Sequence, residues 1–216
     1  MKLTLYYAPL TCALVPYVTL TEAGADFEVE NVNSRSGQLN TPEFLKLNPK
    51  HKVPVLVING EPLTENIAIQ IWIARQFPAA GLLPKEPAAE IKAISLMAWC
   101  CSGIHPHLTP NARPGNYCDL PGSEESVKRL GNKLLFEDFA LADRLLAGRE
   151  WFCDHFTAVD AYFFWCFRRA ISFKLDVSEF GNCNKHFARM KARASVQKVE
   201  AHEKEVQAAF AAGAGA

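Results

Sequence analysis

The chain has 216 residues and a mass of 24.0 kDa, and its 23 lysines and arginines balance 23 acidic residues. With 49% hydrophobic and 21% charged residues it has the balance of a folded protein, which excludes disorder, and zero net charge supplies no electrostatic footprint for nucleic acid or an anionic membrane surface. The apolar stretches, such as 53–58, are far below the roughly 20 residues a membrane-spanning helix needs, and Met1–Tyr7 lacks the apolar core and cleavage site of a signal peptide.

The order of elements changes character near residue 80. Lys2–Tyr7 reads as a strand ending at Ala8-Pro9. A helix follows over about Thr11–Ala23 and stops at Gly24, and Phe27–Val32 is a second strand. Thr41-Pro42, an N-cap followed by proline at the first helical position, opens a short helix through Leu47. Val53–Ile58 is a strand, Asn59-Gly60 a two-residue hairpin and Glu61–Leu63 the returning strand. Thr64 is the expected cap of a helix in which Ile67, Ile71, Ala74 and Phe77 share one face. One four-stranded mixed sheet with helices on both faces would bury these elements.

Three prolines and a glycine in 77–87 mark a linker. Beyond it every element reads as helix: about Ala88–Ile104, Glu124–Leu146, an apolar run Ala161–Phe167 behind the capping-box pattern Thr157-Ala158-Val159-Asp160, Asn184–Ala192 and Ser195–Phe210. Ala211–Ala216, only alanine and glycine, is expected to fray. The expected organisation is thus an α/β domain over 1–77, a linker over 78–87 and an all-helical domain over 88–216. The apolar helix 88–104 is expected to lie partly at the two-fold interface of a homodimer.

Seven cysteines, an odd number without Cys-x-x-Cys or zinc-finger spacing, point to a reducing cytoplasmic setting and to no metal. Cys12 stands apart because it opens a helix, where unpaired N–H groups and the helix dipole favour thiolate. The even alternative is a buried structural thiol. Pro16, four residues on, has no N–H, so the Cys12 carbonyl loses its helical partner and the first turn becomes irregular. Val53-Pro54 begins a strand. A trans proline on an edge is the ordinary reading, and a cis bond, about 5% of X-Pro bonds, would turn the Val53 backbone toward an extended ligand. Glu65-Asn66 could hold the ammonium and carboxylate of an amino-acid end, or Glu65 could simply suit the helix dipole. His105-Pro106-His107 ends the long helix; one neutral histidine beside a thiol could act as general acid/base, or cap the helix.

Taken together, Tyr6-Tyr7-Ala8-Pro9 with Cys12, Asn48-Pro49-Lys50 leading to Lys52-Val53-Pro54-Val55-Leu56, Leu63-Thr64-Glu65 with Ala68-Ile69, and Phe156–Tyr162 resemble the cytosolic glutathione transferases, most of all the bacterial beta class. The resemblance implies a thioredoxin-like N-terminal domain and a C-terminal helical bundle. It implies that Val53, before a cis Pro54, pairs with the cysteinyl part of glutathione, and that Glu65 and Asn66 hold the γ-glutamyl ammonium and carboxylate. Cys12 would lie near the glutathione sulfur, with Tyr7 and Thr11 as alternative hydroxyl donors, and His105 would reach in from the helical domain. The chain departs from the pattern at Asn66, Ala98, Gly103, Pro106, Arg169 and Ala194.

The expected function is conjugation of the glutathione thiolate, glutathione being co-substrate, to a small hydrophobic electrophile. The alternatives are a glutathione-dependent thiol-disulfide oxidoreductase using Cys12 as nucleophile, and a non-catalytic interaction protein on the same fold.

Overall fold

A computed structural model describes residues 1–213 of the chain. The chain forms two compact units, one made of Met1–Leu83 and the stretch from Lys191 onward, the other of Pro84–Met190.

The first unit is built on a sheet ordered β2-β1-β3-β4, with β1 (Leu3–Tyr7) parallel to β2 (Glu28–Asn31), and β3 (Val55–Ile58) antiparallel to both β1 and β4 (Glu61–Thr64). Alternation along β1 decides which side chains enter the core: Leu3, Leu5 and Tyr7 are buried while Thr4 and Tyr6 face the other way. Tyr6 packs edge-on against Phe44 of α2 (Pro42–Leu47), whose cap is Thr41, its hydroxyl accepting the Phe44 N–H at 3.3 Å. Helices α1 (Leu14–Glu22) and α3 (Asn66–Gln76) pack on one another, and α1 also packs on β1. The mixed sheet covered by helices is the arrangement the sequence predicts.

Three details differ from the sequence reading. The N-cap of α3 is Glu65, at φ 71° and without a side-chain cap bond, while Thr64 closes β4 and accepts from Lys50 Nζ at 2.8 Å. Secondly, α3 buries Asn66, Ile69, Gln70 and Ile73 rather than the predicted face of Ile67, Ile71, Ala74 and Phe77. Its apolar residues, Ile67, Ala68, Ile69, Ile71, Trp72, Ile73 and Ala74, are spread around the whole helix, so periodicity alone does not choose its inner side; the paired amides of Asn66 and Gln70 do. Thirdly, the last helix, α9 (Ala194–Gly213), packs on α1 instead of among the other C-terminal helices. Its anchor is Glu22, whose carboxylate accepts from Arg193 Nε at 2.8 Å and Nη2 at 2.6 Å, and from Ser195 Oγ. Helix α9 includes Ala211–Gly213; the rest of the tail expected to fray, 214–216, lies outside the described residues.

The second unit holds α4 (Pro87–Trp99), α5 (His105–Ala112), α6 (Glu124–Leu145), α7 (Ala158–Ser172) and α8 (Gly181–Lys191). The helix expected to end at His105 instead runs through a π turn, Cys100–Ile104, into α5 despite Pro106 and Pro110. Pro110 cannot donate to the Pro106 carbonyl four residues back; Tyr117 Oη does so at 2.9 Å. Pro110 fits because α6 presents Gly131 to it, where an added Cβ would lie 2.7 Å from the Pro110 ring. Helix α7 is the centre of this unit: every residue from Ala158 to Phe167 is buried, and the Phe163, Phe164 and Phe167 rings each contribute about 1.5–3 kcal/mol on burial.

Candidate functional site

Between β1 and α1 the chain makes a tight turn. Leu10 sits at φ 64°, Thr11 Oγ1 donates to the Ala8 carbonyl at 2.7 Å, and two short-range bonds, Leu14 N–H to Thr11 O at 3.2 Å and Val15 N–H to Cys12 O at 3.1 Å, begin the helix. The irregular first turn that Pro16 implies is therefore present. Glu203, on the buried face of α9, holds this turn from behind: its carboxylate accepts the Leu10 N–H at 2.7 Å and the Tyr7 hydroxyl at 3.0 Å. The Tyr7 hydroxyl is thereby committed to the interior rather than offered beside Cys12. Nothing in the loop sequence announces Glu203. Its signal is a lone acid in the apolar stripe Val196, Val199, Val206, since a buried carboxylate needs donors.

Cys12 is half-buried at this turn, and its thiol faces the Val53 carbonyl at 3.8 Å. The Val53-Pro54 bond is cis, the geometry the resemblance implies. From the other side Asn66 Nδ2 donates to the Cys12 carbonyl at 2.9 Å. Cys12, Val53 and Asn66 are thus joined by direct contacts, with Glu65 next in the chain, exposed, its carboxylate paired with Lys50 Nζ. The first N–H groups of an α-helix have no partner within it, and the N-cap of α3 supplies no side-chain acceptor. The starts of α1 and α3 therefore lie side by side, both carrying positive partial charge.

His105 belongs to the second unit, where its ring lies 4.4 Å from Trp165 in an edge-on contact and its Nδ1 is 3.4 Å from the Tyr162 hydroxyl. The start of α7 is of a different kind. Asp160 is fully buried and its carboxylate accepts from Thr157 N–H at 2.8 Å, Phe152 N–H at 3.1 Å, Thr157 Oγ1 at 3.2 Å and His186 Nε2 at 3.0 Å. Among the described residues, no cluster of three or more His, Cys, Asp or Glu side chains could hold a metal ion, and no helix is long and apolar enough to cross a membrane.

With this geometry in place, residues 1–75 match the model of the glutathione S-transferase N-terminal domain. The chain is 32% identical over 199 residues to glutathione S-transferase GstA of Escherichia coli O157:H7, an alignment covering 89% of this chain and 94% of that one. The chain belongs to the glutathione S-transferase family. Its fold is that of a beta class glutathione S-transferase from Sphingomonas chungbukensis (TM-score 0.82, 29% identity, 94% of this chain and 98% of the other). It is also that of a sphingomonad glutathione S-transferase complexed with glutathione (TM-score 0.82, 28% identity, 94% and 99%). The two-part architecture of a thioredoxin-like sheet and a mostly helical C-terminal region is common to this family.

Proposed function

We propose that this chain binds glutathione at the Cys12–Val53–Glu65 cluster and conjugates it to small hydrophobic electrophiles. One observation carries the reading: two helix starts are joined through the Asn66–Cys12 hydrogen bond, next to a carboxylate that suits an ammonium. An anionic tripeptide with one zwitterionic end meets each requirement. Glu65 takes the γ-glutamyl ammonium, the open first turn of α3 the adjoining carboxylate, the Val53 backbone the cysteinyl residue, and the α1 start the sulfur. The glutathione found in the sphingomonad relative supports the same ligand.

The chemistry is then nucleophilic substitution. The bound thiol loses its proton, its ionised form being favoured by the α1 dipole, and the sulfur attacks the electrophilic carbon while the leaving group departs as an anion. His105, half-buried and able to give or take a proton, is proposed to assist. The protein acts as a cytoplasmic homodimer; Ile91, 65% exposed on α4, and the half-exposed Ile67 and Ile71 on α3 support a partner copy.

Calorimetric titration with glutathione and an assay with a halogenated nitrobenzene test the proposal; a chain without saturable binding is a scaffold instead. Cys12 is partly accessible, which favours the oxidoreductase as second reading. Intact-protein mass spectrometry after incubation with oxidised glutathione decides. A mixed disulfide at Cys12, with conjugation abolished in C12A, establishes the oxidoreductase; conjugation that survives in C12A establishes the transferase.

A further inference from the structure

The Asn66–Cys12 hydrogen bond that joins the starts of α1 and α3 is the first link of a longer line of side chains. Asn66 is 5% exposed and Gln70 and Thr19 are fully buried. Asn66 Nδ2 donates to the Cys12 carbonyl at 2.9 Å, Gln70 Nε2 donates to Asn66 Oδ1 at 3.1 Å, and the Thr19 hydroxyl donates to Gln70 Oε1 at 2.7 Å. Each polarity follows from the one before. A backbone carbonyl can only accept, so Asn66 must present its NH₂ to Cys12 and its oxygen to Gln70. Gln70 must then present its NH₂ to Asn66, and its oxygen is left for the Thr19 hydroxyl. No other orientation of the two amides satisfies all three contacts. The line begins at the Cys12 carbonyl, which accepts the Val15 N–H at 3.1 Å but has no donor four residues on because Pro16 has no N–H, and it explains why α3 turns a face with two amides inward while Ile67 and Ile71 stay half-exposed.

We propose that Asn66 is a positioning residue for the Cys12 turn, its side chain replacing the missing Pro16 N–H, with Gln70 and Thr19 orienting its amide. As regards glutathione, this rests on the binding mode proposed above and departs from the resemblance at one point. The resemblance gives the Asn66 side chain to the γ-glutamyl carboxylate; the Asn66 amide is instead held by Cys12 and Gln70, so the carboxylate is met by backbone N–H groups of the first turn of α3.

The test is a double-substitution cycle read at Cys12, and it needs no glutathione. The rate and pH profile of iodoacetamide alkylation are measured for Cys12 by peptide mass spectrometry, since the chain holds seven cysteines. In N66A the turn loosens and the limiting alkylation rate rises about tenfold, the effect of one buried hydrogen bond. Pro16→Ala supplies a backbone N–H to the same carbonyl, so in the P16A background N66A changes the rate by less than about threefold. Thr19→Val, which keeps shape and removes the hydroxyl, moves Cys12 in the same direction as N66A but less, and keeps the test open if N66A does not fold. Asn66→Ser, whose hydroxyl is too short to span to Cys12, behaves as N66A.

Three outcomes overturn the proposal: an unchanged Cys12 profile in both N66A and T19V, equal effects of N66A with and without Pro16, or a lowered melting temperature with no change at Cys12. If glutathione fails to bind wild type while the cycle shows coupling, the binding mode falls and the positioning role stands.

Discussion

Helices α3 and α7 begin in opposite ways. The start of α7 is closed by its own chain: Asp160, three residues into the element, reaches back to Thr157 and also gathers Phe152 and His186, all in the interior. The start of α3 is led by Glu65, a non-glycine residue in the left-handed region whose exposed side chain turns away to Lys50 rather than capping the helix. A left-handed glutamate is uncommon and costs of order 1–3 kcal/mol, held only by surrounding structure. Helix starts of the first kind hold a fold together; those of the second leave their first N–H groups without a side-chain cap. Substitutions at the two starts should therefore separate stability from binding.

The largest effect is expected at the closed start. Asp160→Ala leaves two backbone N–H groups and His186 Nε2 without their acceptor in a fully buried place, and at about 1–3 kcal/mol for each buried group left unsatisfied the total is about 3–5 kcal/mol. For a chain of this length the melting temperature should fall by about 10 °C. Differential scanning calorimetry checks this; a fall below about 3 °C would show that α7 is not held by its cap.

Glu203 occupies a middle position, buried yet serving the Cys12 turn. Glu203→Ala removes the acceptor of the Tyr7 hydroxyl and the Leu10 N–H, worth about 2–3 kcal/mol, and should also loosen the turn. Glu203→Gln keeps an acceptor and should recover more than half of the loss. Chemical denaturation gives the energy, and hydrogen exchange at Leu10 shows whether the turn is where protection is lost.

How much of this contrast is legible in the sequence depends on the range of the interactions. The α7 cap is a pattern over four residues, Thr157 to Asp160, and local patterns read correctly, as do the Asn59-Gly60 hairpin and the Thr41-Pro42 start. At α3 the local pattern misleads: Thr64 precedes an apolar run and looks like a cap, yet it belongs to β4, and the inward face is chosen by amides pairing with residues more than fifty positions away. Glu203 reaches Tyr7 across 196 positions. Cys12, Val53, Glu65 and Asn66 were nameable because the resemblance supplies their order along the chain. That the Asn66 amide is committed inward needs the fold. In β1, simple alternation with Leu3 and Leu5 already places Tyr7 inside.

A smaller effect belongs to the anchor of α9. Burial pushes the Glu22 carboxyl upward, but the hydrogen bonds from Arg193 and Ser195 outweigh it and hold its pKa below the usual range. A depressed carboxyl contributes stability that is present above its unfolded pKa, near 4.3, and is lost as the pH falls through the folded value. Burial depresses His202 as well, against the pull of Glu205, so its contribution is present above about pH 6.5 and fades below it. Acid unfolding should therefore show two stages. Glu22→Gln should remove the one below about pH 4 at a cost near neutrality of about 1–2 kcal/mol. A melting-temperature profile against pH that keeps its lower stage in E22Q would place the acid sensitivity elsewhere.

The smallest effect on stability is expected at the open start, and there the binding reading is most exposed to test. Glu65→Gln keeps the shape and the left-handed backbone and removes the charge. The pair with Lys50 is at the surface, where such pairs are worth about 0–1 kcal/mol, so melting should hardly move. Glutathione affinity should fall at least tenfold, because a charge-assisted bond to the ammonium is lost while every other contact is kept. A glutathione analogue lacking the γ-glutamyl amino group completes the comparison. If Glu65 holds that ammonium, wild type should bind the analogue about as weakly as E65Q binds glutathione, and E65Q should bind both alike, since the contact is lost only once. Losses that simply add would mean that carboxylate and ammonium never meet, and the left-handed Glu65 would then serve only to turn the chain from β4 into α3.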